Sequence, residues 1–92
     1  MASLWYVYLV RCSDHSLYAG ITTDLTRRVS EHNFSKQLAA KYTRVRRPVK
    51  LVYSQELCSR SEASRAEYQL KKLTKKAKEQ LVNQFSTVLP VK

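Results

Sequence analysis

Residues Leu4 to Val10 read Leu-Trp-Tyr-Val-Tyr-Leu-Val, an aromatic and β-branched run that suits a strand. Strand alternation places Trp5, Val7 and Leu9 on one face and Tyr6, Tyr8 and Val10 on the other. Ser13, Asp14, His15 and Ser16 supply a turn, and Leu17 to Ile21 resumes as a second short strand. The pair predicts a hairpin with a loop of about four or five residues. Gly20, the only glycine, falls near the end of the second strand. A lone glycine there signals a bulge, a turn or the close approach of another backbone.

Thr22 or Thr23 can cap a helix that has Asp24 in its first turn and runs to about Asn33. Leu25, Val29 and His32 recur at helical spacing on one face, and Arg28 falls on the same side. Phe34 to Pro48 carries Lys36, Lys41, Arg44, Arg46 and Arg47 and no acid, and Lys41-Tyr42-Thr43-Arg44 interleaves an aromatic ring with bases. Val49 to Ser54 reads as a third strand, with Val49, Leu51 and Tyr53 alternating against Lys50, Val52 and Ser54. Ser59 and Glu62 form a capping box for a second helix whose apolar stripe is Ala63, Ala66, Leu70 and Leu73. Thr74 can cap a third helix carrying Ala77, Leu81, Val82 and Phe85. The order β-β-α-β-α-α predicts an α+β fold, a small sheet with helices packed on it. It forms one domain over residues 1–85, followed by a C-terminal tail over 86–92.

Composition narrows the function classes. A chain of 92 residues with 43% hydrophobic and 26% charged positions is expected to be one small globular domain, not a disordered or fibrous segment. No apolar run is long enough to span a bilayer, and Met1 to Tyr8 lacks the basic stretch and small-residue cleavage site of a secretory leader. No membrane association is expected. Cys12 and Cys58 stand far apart with no CxxC and no nearby His pair, so they read as two free thiols in a reducing cytoplasm. The charge matters more. Lys and Arg number 17 against 7 Asp and Glu, a net +10. Residues 1–20 balance Arg11 against Asp14, so the excess lies along the folded body from residue 21 onward. A positive field of this kind attracts polyanions, nucleic acid above all.

Three groups of residues could carry chemistry. Glu67 lies inside an apolar stripe, between Ala63 and Leu70. A carboxylate there is costly unless it is paired or binds a cation, so a salt bridge to a nearby arginine or a helix edge that reaches water stands beside a divalent-metal ligand or a general base. Arg28 and His32, four residues apart, are neighbours on one helix face. Arginine offers a fixed fork for phosphate and histidine exchanges a proton near neutral pH; the alternative is a packed or surface pair. Tyr6, Tyr8 and Tyr18 crowd a small sheet, either as cross-strand packing or as phenols whose pKa nearby cations depress.

Tyr6-Val7-Tyr8, then Tyr18-Ala19-Gly20 ten residues on, resembles the two short motifs of the GIY-YIG nuclease superfamily. Tyr6 stands at the glycine of the first motif and Ala19 replaces the usual Ile or Val of the second. Arg28, His32 and Glu67 follow in order. The stretches Trp-Tyr-Val-Tyr-Leu-Val-Arg-Cys, Leu-Tyr-Ala-Gly-Ile-Thr-Thr-Asp-Leu, Arg-Arg-Val-Ser-Glu-His-Asn and Ala-Lys-Tyr-Thr-Arg are similar to the small stand-alone bacterial members, the YhbQ-like group. The resemblance covers residues 3–83. It implies a compact domain with a three-stranded antiparallel sheet and metal-dependent phosphodiester hydrolysis, with one Mg²⁺ or Mn²⁺ ion. By matched position, Tyr8 and Tyr18 are the motif tyrosines, Arg28 holds the scissile phosphate, His32 stands where relatives have Tyr or His, and Glu67 is the metal ligand. Lys41, Arg44, Arg46, Arg47, Lys71 and Lys72 are expected to hold flanking phosphates without reading sequence. Relatives carry glycines after the His-Asn pair; Phe34 to Ala40 has none, which points to a more helical loop. The expected partner is nucleic acid, DNA ahead of RNA, with room for a protein partner that supplies specificity. The alternative is a non-catalytic nucleic-acid-binding module with a vestigial site.

Overall fold

Seven elements follow one another in the computed structural model, which describes residues 4–88. They are β1 (Trp5–Arg11), β2 (Leu17–Thr22), α1 (Leu25–Phe34), the single-turn α2 (Lys41–Arg44), β3 (Lys50–Leu57), α3 (Arg60–Lys72) and α4 (Lys75–Val88). Residues 89–92 of the expected tail lie outside the described residues, and residue 86, where that tail was expected to begin, falls within α4. The strands form one antiparallel sheet in the order β2-β1-β3. The most apolar strand, β1, therefore takes the centre, flanked on both sides.

Alternation gives the sheet two different faces. Val7, Leu9 and Ala19 are buried on one face beneath Leu70 of α3 and Val82 of α4. Tyr8 and Val10 are buried on the other, with Val49, beside Leu25 and Val29 of α1 and Tyr42 of α2. The third strand departs from strict alternation. Tyr53 pairs with Leu9 and Leu51 with Val10, so Val52 is an extra residue in a bulge. Val52 and Tyr53 thus both pack toward α3 and α4, while Leu51 and Val49 pack toward α1. The expectation that Val49, Leu51 and Tyr53 share a face is corrected by that bulge.

Local signals fix the ends of the elements. The hairpin loop closes through Cys12 N to Ser16 O at 2.8 Å, and Asp14 Oδ1 accepts from Ser16 N at 3.0 Å. His15 sits at φ 69°, the left-handed conformation that turns the chain, and its carbonyl accepts from Arg11 Nη1 at 3.2 Å. Helix α1 is capped by Asp24, whose carboxylate accepts from Arg27 N at 3.0 Å. Thr22 and Thr23 do not cap it, because Thr22 still belongs to β2 and its hydroxyl accepts from Asp24 N. Ser59 caps α3 and accepts from Glu62 N at 3.1 Å, while Thr74 accepts from Ala77 N at 3.1 Å. Leu73 ends α3 and is 37% exposed, so the predicted stripe stops at Leu70. Residues 35–40 form a turn and bend instead of continuing the helix, and the helical turn comes only at Lys41–Arg44.

Candidate active site

The register of β1 against β2 sets Tyr8 opposite Gly20. A Cβ on Gly20 would overlap the Tyr8 hydroxyl and lie 2.6 Å from its Cζ and 3.1 Å from Cε2. The only glycine is thus required by a tyrosine ring laid across its backbone, the close approach its position signalled.

From that position the phenol reaches α1. Tyr8 Oη is 2.8 Å from His32 Nε2. His32 Nδ1 is 2.7 Å from Thr43 Oγ1, and the Thr43 hydroxyl donates to Ala40 O at 3.1 Å. Because that hydroxyl spends its only proton on a carbonyl, it accepts from His32 Nδ1–H. His32 Nε2 then carries the lone pair and accepts from the Tyr8 hydroxyl. The chain of donors runs in one direction from the sheet to α2. Tyr8, His32 and Thr43 are all essentially inaccessible to water.

Burial sets the protonation states. It pushes His32 down from 6.5 to about 4, reinforced by the positive charges of Arg28 and Arg47 against the opposing charge of Glu31. It pushes Tyr8 up from 10.0 to about 12, even though Arg28 acts to lower it. The expectation of a cation-depressed phenol therefore fails at Tyr8: desolvation outweighs the one arginine beside it. Both groups are neutral at pH 7 in the free protein.

Arg28 approaches Tyr8 from α1. Its Nη1 donates to Glu31 Oε1 at 2.9 Å and to the Leu38 carbonyl at 2.7 Å. Burial alone would lower its pKa, but Glu31 and Tyr8 hold it above the ordinary value, so it stays charged. Tyr18 borders the same group. Its ring meets His32 edge-on at 5.6 Å and stacks on Tyr42 at 5.6 Å and 20°. The Arg46 guanidinium covers Tyr42 at 3.9 Å, and its Nε donates to Asp14 at 3.0 Å. Sequence reasoning missed Thr43 and Tyr42 as parts of the site, although both lie in the basic segment it singled out.

Glu67 projects from α3 with its side chain 25% exposed, and its Oε2 lies 3.5 Å from Lys71 Nζ. Its charge acts on Tyr8, raising the phenol further. Among the described residues no cluster of three or more His, Cys, Asp or Glu could cage a metal. The donor set suits a hard cation held by one carboxylate, with water and phosphate oxygens completing its shell, as Mg²⁺ favours. Glu67, part-exposed and only loosely set against Lys71, is the residue that would hold it.

The basic residues divide into two groups. Arg47 Nε donates to His32 O at 2.7 Å and its Nη2 to Ser35 O, closing the C-terminal end of α1. Arg46 is held by Asp14, by Tyr42 O and by the Tyr42 ring. These two arginines brace the segment, in addition to any contact with phosphate. Lys41 and Arg44 are exposed on α2. Lys71 is set against Glu67, and Lys72 lies over the Tyr68 ring at 4.8 Å.

Residues 4–80 match the GIY-YIG catalytic domain. The chain belongs to the GIY-YIG family. Among its relatives, the UPF0213 protein DP2720 of Desulfotalea psychrophila is 53% identical over 78 residues, 85% of this chain and 70% of that protein. The UPF0213 protein YazA of Bacillus subtilis is 51% identical over 74 residues, 80% of this chain and 73% of that protein. The solution structure of the UPF0213 protein BH0048 of Bacillus halodurans superimposes with a TM-score of 0.56 at 40% identity, covering 97% of this chain and 99% of that one. The solution structure of EF2693 from E. faecalis gives 0.61 at 40% identity, covering 100% and 98%. The GIY-YIG assignment makes this a nuclease-type domain whose substrate is nucleic acid, and the α+β fold read from the sequence is that of its UPF0213 neighbours. Among the described residues no helix is long and apolar enough to cross a membrane.

Proposed function

We propose that this GIY-YIG domain is a divalent-metal-dependent endonuclease that hydrolyses phosphodiester bonds in DNA. The observation that carries the reading is the buried chain Tyr8–His32–Thr43 with Arg28 beside its phenol end. Tyr8 is buried in the free protein, and with Arg28 beside its hydroxyl it is the member through which the chain would meet a substrate. Its hydroxyl orients the attacking water and takes that water's proton as its own passes to His32 Nε2. Thr43 holds His32 with Nδ1 protonated, so Nε2 is free to receive. The shifted pKa values keep both groups neutral until substrate charge enters the site. Arg28 neutralises charge growing on the non-bridging oxygens. Its Nη1 is engaged by Glu31 and Leu38 and its guanidinium also bonds the Tyr8 hydroxyl, which aims it at the phenol end of the chain where the phosphate would sit. Tyr18 packs edge-on against the His32 ring and helps hold it in place. Glu67 holds the cation, which when bound supplies charge stabilisation at the phosphate. Lys41 and Arg44, with Lys71 and Lys72, hold the flanking backbone, Arg46 and Arg47 contributing field from their braced positions.

The test is cleavage of a labelled panel of duplex, single-stranded, flapped and four-way DNA beside RNA. It is run with Mg²⁺, Mn²⁺ or EDTA, for the protein and for Glu67→Ala. Cuts that need metal and vanish in the variant support the reading, and preference for RNA would correct the substrate. Tight binding with no cuts in any condition would overturn catalysis in favour of a binding module. Full metal-dependent cleavage by Glu67→Ala would remove the metal assignment.

A further inference from the structure

The segment between α1 and β3 exposes apolar side chains where a soluble surface would ordinarily be polar. Phe34 is 80% exposed, Val45 76% and Leu38 59%. Each comes from backbone fixed to the candidate site. The Leu38 carbonyl is itself bonded to Arg28, Phe34 lies two residues beyond His32, and Val45 two beyond Thr43. Leu38 N bonds Ser35 Oγ at 2.9 Å and Ser13 N bonds Arg46 O at 2.9 Å, so the segment is braced from inside and from the hairpin tip. These side chains are held outward by a tied backbone.

Their surroundings narrow the partner. Lys36, Lys41 and Arg44 are exposed between them, and no acid occurs from Phe34 to Gln55. A surface both cationic and apolar fits a polyanion that offers apolar faces beside its charges. Continuous duplex DNA does not, because its base faces are covered by stacking and only phosphates and groove edges are presented. A strand with unstacked bases does, and proteins that open base steps insert side chains of this kind beside phosphate contacts. The Leu38 carbonyl is bonded to Arg28, so of the three apolar side chains Leu38 is tied most directly to the arginine that the proposed function sets against the phosphate.

We propose that residues 34–45 form a base-unstacking wedge led by Leu38, and that the preferred substrate is DNA with bases already free of the stack: a single strand, flap or junction. The proposal rests on the reading that Arg28 receives the phosphate. Binding is measured in EDTA, where no cutting occurs, on a flap and on a continuous duplex. Each carries 2-aminopurine, whose fluorescence rises on unstacking, at the branch or its equivalent. The flap binds about tenfold more tightly than the duplex, and its fluorescence rises on binding. Leu38→Ser abolishes most of that rise and brings the two affinities within about twofold, while Leu38→Met keeps both. Leu38 is exposed, so an unchanged melting temperature shows that the variants are folded. Equal affinity for flap and duplex, a base that stays dark, or an unaltered Leu38→Ser each overturns the wedge. Metal-dependent cleavage without unstacking removes the wedge and leaves the nuclease; unstacking without cleavage does the reverse. Failure to bind any DNA removes both.

Discussion

Tyr8, His32 and Thr43 share one proton inventory, and each can be tested alone. Thr43→Val keeps the volume but leaves His32 Nδ1–H without an acceptor in a site closed to water. A buried donor stranded in this way costs about 1–3 kcal/mol, readable as a lower melting temperature. The ¹⁵N spectrum of the ring should show His32 losing its single Nδ1–H form, and Thr43→Ser should restore it. Tyr8→Phe removes the hydroxyl that the proposed mechanism sets against the attacking water, and cleavage should fall about 10²- to 10⁴-fold with the fold intact. The pH dependence follows from the direction of the shift. His32 ionises near 6.5 in the unfolded chain and only near about 4 in the fold, so between those values the unfolded chain binds more protons. Its contribution is fully present above 6.5 and is lost as pH falls toward 4. Urea unfolding of His32→Gln should show a shallower fall in stability across that window, the difference being at most about 1.4 kcal/mol per pH unit. Tyr8 behaves oppositely: its proton is held to about 12, so its contribution is lost as pH rises beyond 10.

Strands and helices translate these residues into positions, and here the sequence was readable unevenly. The alternation in β1, the Ser59–Glu62 cap and the Thr74 cap are local signals, and each led to the right element because local geometry decides them. The same applies to Arg28 and His32, whose spacing alone places them on one helical face. Thr43 was not legible, since its role depends on a turn that carries it to His32 across 11 residues. The bulge at Val52 was hidden because β-pattern counting assumes an unbroken ladder. Gly20 was half legible: its peculiarity was evident, but only pairing with Tyr8 reveals what fills the space. Gly20→Ala should therefore act on its neighbour, pushing the phenol off His32 and destabilising the domain by about 1–3 kcal/mol. A calorimetric scan and the His32 ring resonances would report both effects. Between β1 and α4, Arg11 donates to Glu79 at 2.5 and 2.7 Å, holding the last helix to the central strand. Those bonds keep the Glu79 carboxyl below its ordinary value, so the clasp weakens only in acid, as pH falls through that depressed value. Each side chain is about a third exposed, and Glu79→Gln should cost under about 1 kcal/mol at neutral pH.

The whole molecule sets its charge against its packing. A net +10 means that affinity for nucleic acid should fall steeply with salt. Lys41→Ala and Arg44→Ala should each reduce the slope of log affinity against log salt by about 0.7–0.9, with the melting temperature unchanged. Arg46→Ala and Arg47→Ala should lower the melting temperature as well, because those guanidiniums close the site's own framework. Binding titrations over a salt series, paired with thermal melts, separate the two groups. The division of the sheet has a further consequence. Val7 and Leu9 point toward α3 and α4 while Tyr8 between them points toward α1. Sliding β1 by one residue would exchange the two sets, leaving a phenol in the oily layer and a valine where the proposed mechanism needs the phenol. A misaligned strand could therefore retain its hydrogen-bond ladder yet have no chemistry at all. On the proposed reading, turnover in this domain would double as a readout of correct strand alignment.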